Sequence, residues 1–325
     1  MSNEKSSFCD VIIPSAGDSV KSLERTLSEM TRHKTLAEDI QKTLAEYYAE
    51  QGKHEKAHWL PLCGSWLQFR QYHDAEKTTK LIAANYCRHQ LCPMCAWRKH
   101  AKNGAILSAA LDGMDSLYMV TMTVDNTPDI TRERLREIIK QSTAMLRSMS
   151  CPDYIANLEI TYSREKGFHP HVHAIVYQPA WDRAQIGASM AYWRKKWGTR
   201  MNGKHGYNIL HIAPIEGLGG AVAEVTKYLC KPMTPEDDIV PAIKQLIPAV
   251  RRVRQLRAGG IIRQKIADIK TGEKYAMIKN AVELAGYTYT EIVSAWINGE
   301  YHTELSRQGK VWRFAKQILP DLDGG

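Results

Sequence analysis

The sequence predicts an α+β fold whose centre is an antiparallel sheet of the split βαβ type. Its middle part alternates stretches of strand length with amphipathic stretches of helical periodicity, in the order β-α-β-β-α-β. Two of the strand-like stretches follow each other across a short loop, as in a hairpin. This order predicts an antiparallel sheet with helices on one face. The six stretches are residues 116–124, 131–149, 154–163, 171–178, 182–197 and 207–215.

Local signals support each element. Residues 116–124 have the β-branched and aromatic content of a strand, and an Asn-Thr-Pro-Asp turn separates them from the amphipathic helix 131–149. Residues 154–163 and 171–178 are the hairpin strands, and the loop between them ends in a His-Pro dipeptide. After the last strand, residues 217–232 begin with a glycine-rich turn and end at a proline, which predicts one more helix.

The two ends of the chain carry helical patterns. Residues 20–57 have apolar residues at helical spacing on two stripes, and residues 281–296 resemble two helices joined at a glycine. Together with a cysteine-rich stretch ahead of the sheet, these patterns predict four regions. The regions are an N-terminal helical region (1–58), a cysteine-bearing segment packed on the central domain (59–115), the central domain (116–265) and a C-terminal helical region (266–325).

Composition limits the function classes. The chain has 325 residues, 44% of them hydrophobic, which suffices for a sizeable core in more than one folding unit. A net charge of +9 favours a polyanionic partner. The N-terminus lacks the apolar core of a signal peptide, and no stretch approaches membrane-spanning length. We therefore expect a cytoplasmic chain with reduced cysteines.

Four of the seven cysteines cluster ahead of the sheet. Two form a Cys-Pro-Met-Cys turn, a third lies five residues earlier, and the most distant is followed by a glycine. Thiolates at this spacing favour a structural zinc ion with four cysteine ligands. Two alternatives are open, because some of these cysteines could be small buried apolar residues, or His89 or His58 could replace one thiolate. The four cysteines are Cys63, Cys87, Cys92 and Cys95.

A row of histidines marks the second strand of the predicted hairpin. His169, His171 and His173 alternate through Gly-Phe-His-Pro-His-Val-His, and alternate residues of a strand share a face. On the partner strand, Glu159 stands between a leucine and an isoleucine. Two imidazoles and this carboxylate would form a site with open positions, suited to Mg²⁺ or Mn²⁺. The alternative is a set of solvent-facing strand residues.

The helix predicted after the sheet carries a second polar group. Glu224 and Tyr228 are four residues apart and share a helical face, beside which Lys227 and Lys231 fall. A tyrosine phenolate can act as a nucleophile toward a metal-polarised phosphate. The alternative is a solvated face with a Glu–Lys pair and a tyrosine packed on the sheet.

Taken in order, these motifs resemble those of the HUH endonucleases, named for His-hydrophobe-His, and most closely those of the rolling-circle replication initiators of small bacterial plasmids. Residues 118–126 resemble the first family motif, an apolar strand that ends near an asparagine, and residues 169–173 resemble the metal motif. Residues 224–231 resemble the nucleophile motif in its one-tyrosine form, and residues 87–99 resemble a segment found ahead of the first motif. The resemblance covers roughly residues 60–265 and implies the HUH form of the split βαβ fold.

The resemblance implies a nicking reaction on DNA. Tyr228 would attack a phosphodiester and form a 5′-phosphotyrosine bond, which frees a 3′-hydroxyl to prime synthesis. His171, His173 and Glu159 would hold the divalent ion that polarises the phosphate, with His169 as a further ligand or as a residue that shapes the loop.

The resemblance also implies roles for the other polar residues of the last helix. Glu224 stands where two-tyrosine relatives have a second nucleophile, and it could activate the water that releases the finished strand. Lys227 or Lys231 could neutralise charge on the phosphate or stabilise the phenolate of Tyr228.

Two basic segments would contact DNA phosphates in such an enzyme. The first, 193–206, contains Trp193 and Trp197, whose rings could stack on unpaired bases or pack in the core. The second, 251–265, has a Gly-Gly bend and no acidic residue, and the pattern at 281–296 could read duplex origin DNA. The expected contacts are Arg194, Lys195, Lys196, Arg251, Arg252, Arg254, Arg257 and Arg263.

Three functions are open at this point. The first is a plasmid replication initiator that uses Mn²⁺ or Mg²⁺ and structural Zn²⁺, acts on single-stranded and hairpin origin DNA, and engages host helicase and replication proteins. The second is an HUH single-strand transposase or mobilisation relaxase, although the cysteine segment and the Glu224–Tyr228 pairing favour the initiator. The third is a non-catalytic, zinc-bearing nucleic-acid-binding protein. None of the three predicts a membrane partner or a small-molecule cofactor.

Overall fold

The computed structural model describes residues 23–73, 79–201, 209–226, 239–284 and 289–306, which form nine helices and nine strands. The helices are α1 (Leu23–Thr35), α2 (Glu38–Glu50), α3 (His54–Trp59), α4 (Pro93–Leu111), α5 (Arg132–Ser148), α6 (Arg183–Arg200), α7 (Leu218–Thr226), α8 (Ile239–Val250) and α9 (Gly260–Leu284). The strands are β1 (Trp66–Tyr72), β2 (Thr79–Ala84), β3 (Leu117–Thr123), β4 (Tyr154–Ser163), β5 (Gly167–Tyr177), β6 (Leu210–Pro214), β7 (Leu256–Gly259), β8 (Tyr289–Ile297) and β9 (Glu300–Ser306). Among the described residues, no helix combines the length and the apolar character that a membrane crossing requires.

The chain forms two compact units, and the first contains both ends of the chain, Met1–Cys95 and Ala276–Gly325. Its described part contains helices α1 to α3 and an antiparallel four-stranded sheet in the order β2-β1-β8-β9. The sequence analysis divided these residues among three separate regions. Pairing between β1 and β8, which are more than 200 residues apart in the chain, joins them in one sheet.

The prediction of a helical C-terminal region is wrong for residues 289–306. The strands β8 and β9 form an antiparallel hairpin, and its turn is Asn298-Gly299, with φ angles of 50° and 89°. An Asn-Gly pair is the preferred two-residue hairpin turn because both residues tolerate positive φ. Strand β8 is rich in β-branched and aromatic residues, and pairing with β1 and β9 satisfies its backbone on both sides. The helical pattern predicted over residues 281–296 is therefore a strand from Tyr289 onward.

The second unit, Ala96–Tyr275, contains a five-stranded antiparallel sheet in the order β6-β3-β5-β4-β7. Elements β3, α5, β4, β5, α6 and β6 follow the predicted split βαβ order, and β5 is a central strand as predicted. Strand β5 begins at Gly167, so His169 lies in the strand and not in the loop where the sequence analysis expected it. The strand is longer because it pairs with β4 as far as Gly167, which lies opposite Ser163, and Phe168 also exchanges backbone hydrogen bonds of 2.8 and 2.9 Å with Thr127.

Both faces of this sheet are covered, whereas the sequence analysis expected helices on one face. On one face, Ile155 and Ile175 form a buried cluster with Val222 and Val225 of α7. On the opposite face of β5, Ala174 is equally buried, and α5 contacts this strand. The α+β class and the antiparallel sheet agree with the prediction. The face that α7 covers is the face on which the polar residues of β4 and β5 converge.

Candidate functional site

Four polar side chains lie on the face of the sheet that α7 covers. The antiparallel register pairs Glu159 of β4 with His171 of β5, and it pairs Thr121 of β3 with His173. Alternate residues of a strand point to the same face, so both histidines and both partners lie together. Glu159 is only 3% exposed, which places a carboxylate away from solvent beside two imidazoles.

The donor atoms of Glu159, His171 and His173 converge. Glu159 Oε2 lies 3.1 Å from His171 Nε2 and 3.5 Å from His173 Nε2, and the donor atoms of the three residues all lie within 4.8 Å of one another. Neighbouring ligands of an octahedral Mg²⁺ ion are about 3 Å apart, because each metal–oxygen bond is about 2.1 Å long. The three side chains therefore fit one divalent ion and leave its other positions open.

Hydrogen bonds at the far side of each ring orient both imidazoles toward the same point. His171 Nδ1 lies 3.1 Å from the carbonyl of His169, which can only accept, so the proton of a neutral His171 is assigned to Nδ1. His173 Nδ1 lies 3.3 Å from Thr121 Oγ1, which can accept in the same way. Both Nε2 lone pairs then face the Glu159 carboxylate. Electron-rich atoms at these distances repel one another unless a cation lies between them, and metal-bound histidines commonly have such outer hydrogen bonds.

His169, the third histidine of the row, contributes differently. Its ring is outside the group of converging donor atoms and packs beside the ring of His171, with a distance of 5.3 Å between the ring centroids. Burial, and then the neighbouring His171, lower the pKa of its imidazole. Through its backbone carbonyl, His169 fixes the orientation of the His171 ring.

Helix α7 brings a second carboxylate to the same place. Burial of Val222 and Val225 fixes the helix against β4 and β5, and Glu224 lies between these two residues in the sequence. Glu224 Oε1 is 3.3 Å from His173 Nε2, and about a third of its side chain is exposed. His173 Nε2 therefore faces two carboxylates, one buried and one open to solvent.

Three predicted catalytic residues follow Glu224 in the chain. Lys227, Tyr228 and Lys231 lie outside the described residues, which end at Thr226 in this part of the chain. The described part of the helix brings Glu224 to the histidines, and Tyr228 follows it by four positions in the sequence.

The four clustered cysteines form a compact group in the first unit. Cys63 Sγ lies 3.5 Å from Cys95 Sγ and 3.6 Å from Cys92 Sγ, and Cys87 Sγ lies 3.7 Å from Cys95 Sγ. Sulfur atoms around a tetrahedral zinc ion are about 3.8 Å apart, because each bond is about 2.3 Å long, whereas a disulfide would bring two of them to about 2 Å. All four are free cysteines. Hydrogen bonds from Cys63, Cys87 and Cys95 lower the pKa of Cys92.

The structure brings neither alternative histidine into this group. His89 Nε2 bonds with the Tyr48 hydroxyl at 3.2 Å, and its Nδ1 accepts from the backbone N–H of Leu91, also at 3.2 Å. Burial, followed by the charge of Lys56, lowers the pKa of His89 to about 4. His58, on α3, is likewise outside the set of converging donor atoms, which consists of the four cysteines.

The second basic segment runs beside strand β4. Arg257 of β7 pairs with Ala156, and the carbonyl of Gln255 accepts a hydrogen bond of 3.3 Å from the backbone N–H of Leu158. The exposed arginines of this segment are Arg251, Arg252, Arg254 and Arg263, and Arg257 is half-buried.

The residues of the first basic segment up to Arg200 belong to α6. Of the two roles that the sequence leaves open for its tryptophans, the structure favours packing in the core. Trp193 and Trp197 are 8% and 0% exposed, and Trp197 Nε1 donates a hydrogen bond to the Thr123 carbonyl. The exposed aromatic residue is Tyr192, with 60% of its surface accessible, and Lys196 Nζ lies 3.3 Å from its hydroxyl. Helical spacing turns the tryptophans inward and leaves Tyr192 outward, a difference that the composition of the segment does not reveal. Arg194 and Lys195 are exposed, and Lys196 is half-buried. Their contact with DNA stays a prediction.

Comparison with known proteins is consistent with this arrangement. The model of the Replication protein family matches residues 78–302. Protein rep of Streptococcus pneumoniae serotype 2 (strain D39 / NCTC 7466) is 24% identical over 282 residues, which cover 78% of this chain and 85% of that protein. Protein rep of Lactiplantibacillus plantarum is 25% identical over 252 residues, which cover 67% of this chain and 78% of that protein. Protein rep of a Bacillus species is 30% identical over 146 residues, with 41% and 45% covered.

No solved structure matches the chain. The family match contains the whole five-stranded sheet and, from the four-stranded sheet, β2, β8 and the first residues of β9. It also contains the paired histidines, Glu159 and Glu224. The chain therefore belongs to the Replication protein family and is a plasmid rolling-circle replication initiator of the HUH type.

Proposed function

We propose that this initiator nicks single-stranded origin DNA in a metal-dependent reaction and transfers the strand through a 5′-phosphotyrosine intermediate. The observation that carries the proposal is the convergence of His171 Nε2 and His173 Nε2 on Glu159 Oε2, at 3.1 and 3.5 Å. Such a site with open positions suits an ion that also binds a phosphate. The family match supports a role at a replication origin.

The protein supplies the nucleophile and the orientation of the phosphate. A bound Mg²⁺ or Mn²⁺ ion would withdraw charge from the scissile phosphate. Tyr228 is the proposed nucleophile: its oxygen forms a bond to phosphorus, the bond between phosphorus and the 3′ oxygen breaks, and that oxygen leaves as a 3′-hydroxyl. Lys227 or Lys231 would stabilise the charge that develops on the tyrosine or the phosphate.

Glu224 is the proposed base for strand release. Its carboxylate lies 3.3 Å from His173 Nε2, so a water bound to this carboxylate would be close to the phosphate held at the metal site. Glu224 would take a proton from this water as the water attacks the phosphotyrosine bond, and Tyr228 would leave. The exposure of about a third of the Glu224 side chain is consistent with access by water.

The basic segments would hold the strand on either side of the reaction centre. Strand β7 pairs with β4, the strand that carries Glu159, so the basic residues from Arg251 to Arg263 would form a track for phosphates beside this strand. On α6, Lys195 and Lys196 would contact phosphates, and Tyr192 would stack on an unpaired base.

We propose that the four cysteines are the ligands of a structural zinc ion. Sulfur–sulfur distances of 3.5 to 3.7 Å suit a tetrahedral ion, and the four thiols supply the full ligand set that a structural zinc site uses. A closed set of this kind has no open position for a substrate, so its role is to stabilise the fold.

Incubation with DNA tests the nicking reaction directly. The substrate is a supercoiled plasmid that carries the gene with its flanking DNA, and Mn²⁺ is added to the purified protein. We expect open circles whose 5′ end is covalently attached to the protein, and mass spectrometry of the peptide adduct should locate the bond at Tyr228. A protein that binds this DNA without nicking it in the presence of Mn²⁺ or Mg²⁺ would contradict the proposal.

A further inference from the structure

A buried lysine lies close to the four cysteines. Lys34, in the last turn of α1, is 2% exposed, and its ammonium group donates hydrogen bonds of 2.7 Å to Gln41 Oε1 and to the carbonyl of Pro61. A buried ammonium group is costly unless nearby groups compensate its charge. Burial lowers the pKa of Lys34, while the negative charges of Cys63, and then Glu38, oppose this effect.

Gln41 connects this lysine with the sulfur atoms. Its side chain is fully buried, and its Nε2 donates to Cys92 Sγ at 3.3 Å and to the Cys63 carbonyl at 3.4 Å. Lys34 has only donors, so it must meet the oxygen of the Gln41 amide. The amide nitrogen of Gln41 is thereby turned toward Cys92, and a flipped amide would place an oxygen against a thiolate.

The charge of a zinc-bound cysteine group explains why a lysine and an amide would lie beside it. A zinc ion with four thiolate ligands carries a net charge of about −2, because each deprotonated cysteine contributes one negative charge. Hydrogen bonds to sulfur and a nearby positive charge both stabilise such a group. Lys34 supplies the positive charge, and Gln41 supplies the hydrogen bond.

We propose that Lys34 and Gln41 form the outer coordination sphere of the four-cysteine metal site, with Lys34 as its counter-charge and as the residue that orients Gln41. The inference rests on the proposed zinc site and goes beyond it, because it makes helices α1 and α2 part of the metal-binding module. Both are positioning residues, since neither is a ligand. Folding of these two helices is then coupled to metal binding.

Variants of the full chain test the coupling through zinc affinity. Gln41→Glu is nearly isosteric and keeps an acceptor for Lys34, but it offers no donor to Cys92. Lys34→Met keeps the apolar stem and removes the charge. We expect each to lower zinc affinity by about 10- to 100-fold, measured by competition with a chromophoric chelator. Lys42→Met removes an exposed lysine from the same helix as Gln41 and should leave the affinity unchanged.

Thermal unfolding of the zinc-loaded and zinc-free proteins separates the coupling from a purely structural role. A residue that only supports the helices would lower both midpoints equally and leave zinc affinity unaltered, which would overturn the inference. Coupling predicts that each substitution lowers the unfolding midpoint of the zinc-loaded protein more than that of the zinc-free protein. If the unsubstituted protein binds no zinc, the proposed zinc site itself is wrong. If the unsubstituted protein binds zinc and both variants bind it equally well, the site stands and only the outer-sphere inference is wrong.

Discussion

His173 Nε2 lies between two carboxylates, 3.5 Å from Glu159 Oε2 and 3.3 Å from Glu224 Oε1. The first carboxylate belongs to the sheet and is buried, and the second belongs to α7 and is partly exposed. Because two like charges and a lone pair at these distances repel, a cation stabilises the arrangement. The geometry thus divides the roles, with Glu159 suited to hold the ion and Glu224 suited to act on what the ion binds.

Removal of a proposed metal ligand should abolish nicking while DNA binding largely persists. His171→Ala or His173→Ala takes away a nitrogen donor, whereas binding rests mainly on lysine and arginine contacts. Nicking of origin DNA in Mn²⁺ and retention of a labelled oligonucleotide measure the two properties. His302→Ala, at an exposed histidine of β9, is the control and should retain activity. Robust metal-dependent nicking by either site variant would mean that the histidines are structural.

Thr121→Val should weaken the metal site without touching a ligand. The substitution keeps the shape of the side chain but removes the oxygen that lies 3.3 Å from His173 Nδ1. Loss of such an outer hydrogen bond typically lowers metal affinity by about 10- to 100-fold. Mn²⁺ binding followed by electron paramagnetic resonance provides the measurement, with added metal expected to restore nicking. Thr143→Val removes a hydroxyl that bonds only within α5 and should bind Mn²⁺ normally; equal affinity in both variants would assign Thr121 a structural role only.

Substitution of Tyr228 and substitution of Glu224 should block different steps of the reaction. Tyr228→Phe keeps the ring but loses the nucleophilic oxygen, so nicking and the covalent adduct should both disappear. Glu224→Ala leaves that oxygen in place, and the enzyme should still nick and attach but release its product poorly. A time course of adduct formation and decay distinguishes the two. If both variants lose the same modest fraction of activity, the two residues contribute packing alone, and attachment at a tyrosine other than Tyr228 would overturn its assignment.

The sequence predicted which residues of the hairpin share a face better than it predicted which residues of other elements contact them, for a physical reason. Strand pairing is encoded locally by alternation, and the predicted bounds of 154–163 coincide with those of β4. Once the hairpin was in register, Glu159 had to face His171. Thr121 belongs to a strand that is far away in the chain, so its alignment with His173 depends on tertiary pairing.

Features that depend on the tertiary structure were harder to predict. The sequence left open whether the tryptophans of α6 stack on bases or pack in the core, because they stand among basic residues, and the helix turns them inward. At the C-terminus, a glycine suggested a break between helices, whereas Asn298-Gly299 was the stronger signal and marks a hairpin turn. Lys34 was overlooked because a lysine within an amphipathic helix is ordinarily exposed, and only the fold reveals its burial.

Zinc content checks the four-cysteine site independently of activity. We expect one zinc per chain in protein purified without added metal, because the four sulfur atoms already lie within 4.8 Å of one another. Cys92→Ser should lose the metal, and Cys151→Ser should retain it because Cys151 is buried outside the group. Elemental analysis gives the ratio. Less than about half an equivalent of zinc, unchanged in Cys92→Ser, would exclude a structural zinc site.

Tyr192 should contribute to DNA binding through its ring, in place of the buried tryptophans. The ring is 60% exposed on α6, and Lys196 lies against it with its ammonium group 5.3 Å from the ring centroid. Stacking of one base on an exposed aromatic ring contributes roughly 1–3 kcal/mol, so Tyr192→Ala should weaken binding of a single-stranded oligonucleotide by about 5- to 150-fold. Tyr192→Phe retains the π-face and should bind nearly as well as the unsubstituted protein. Fluorescence anisotropy at fixed ionic strength measures both affinities, because salt alone changes the phosphate contribution. Unchanged binding by both variants would restrict α6 to phosphate contacts made by Lys195 and Lys196. A loss in both variants would point instead to the hydroxyl and its 3.3 Å contact with Lys196.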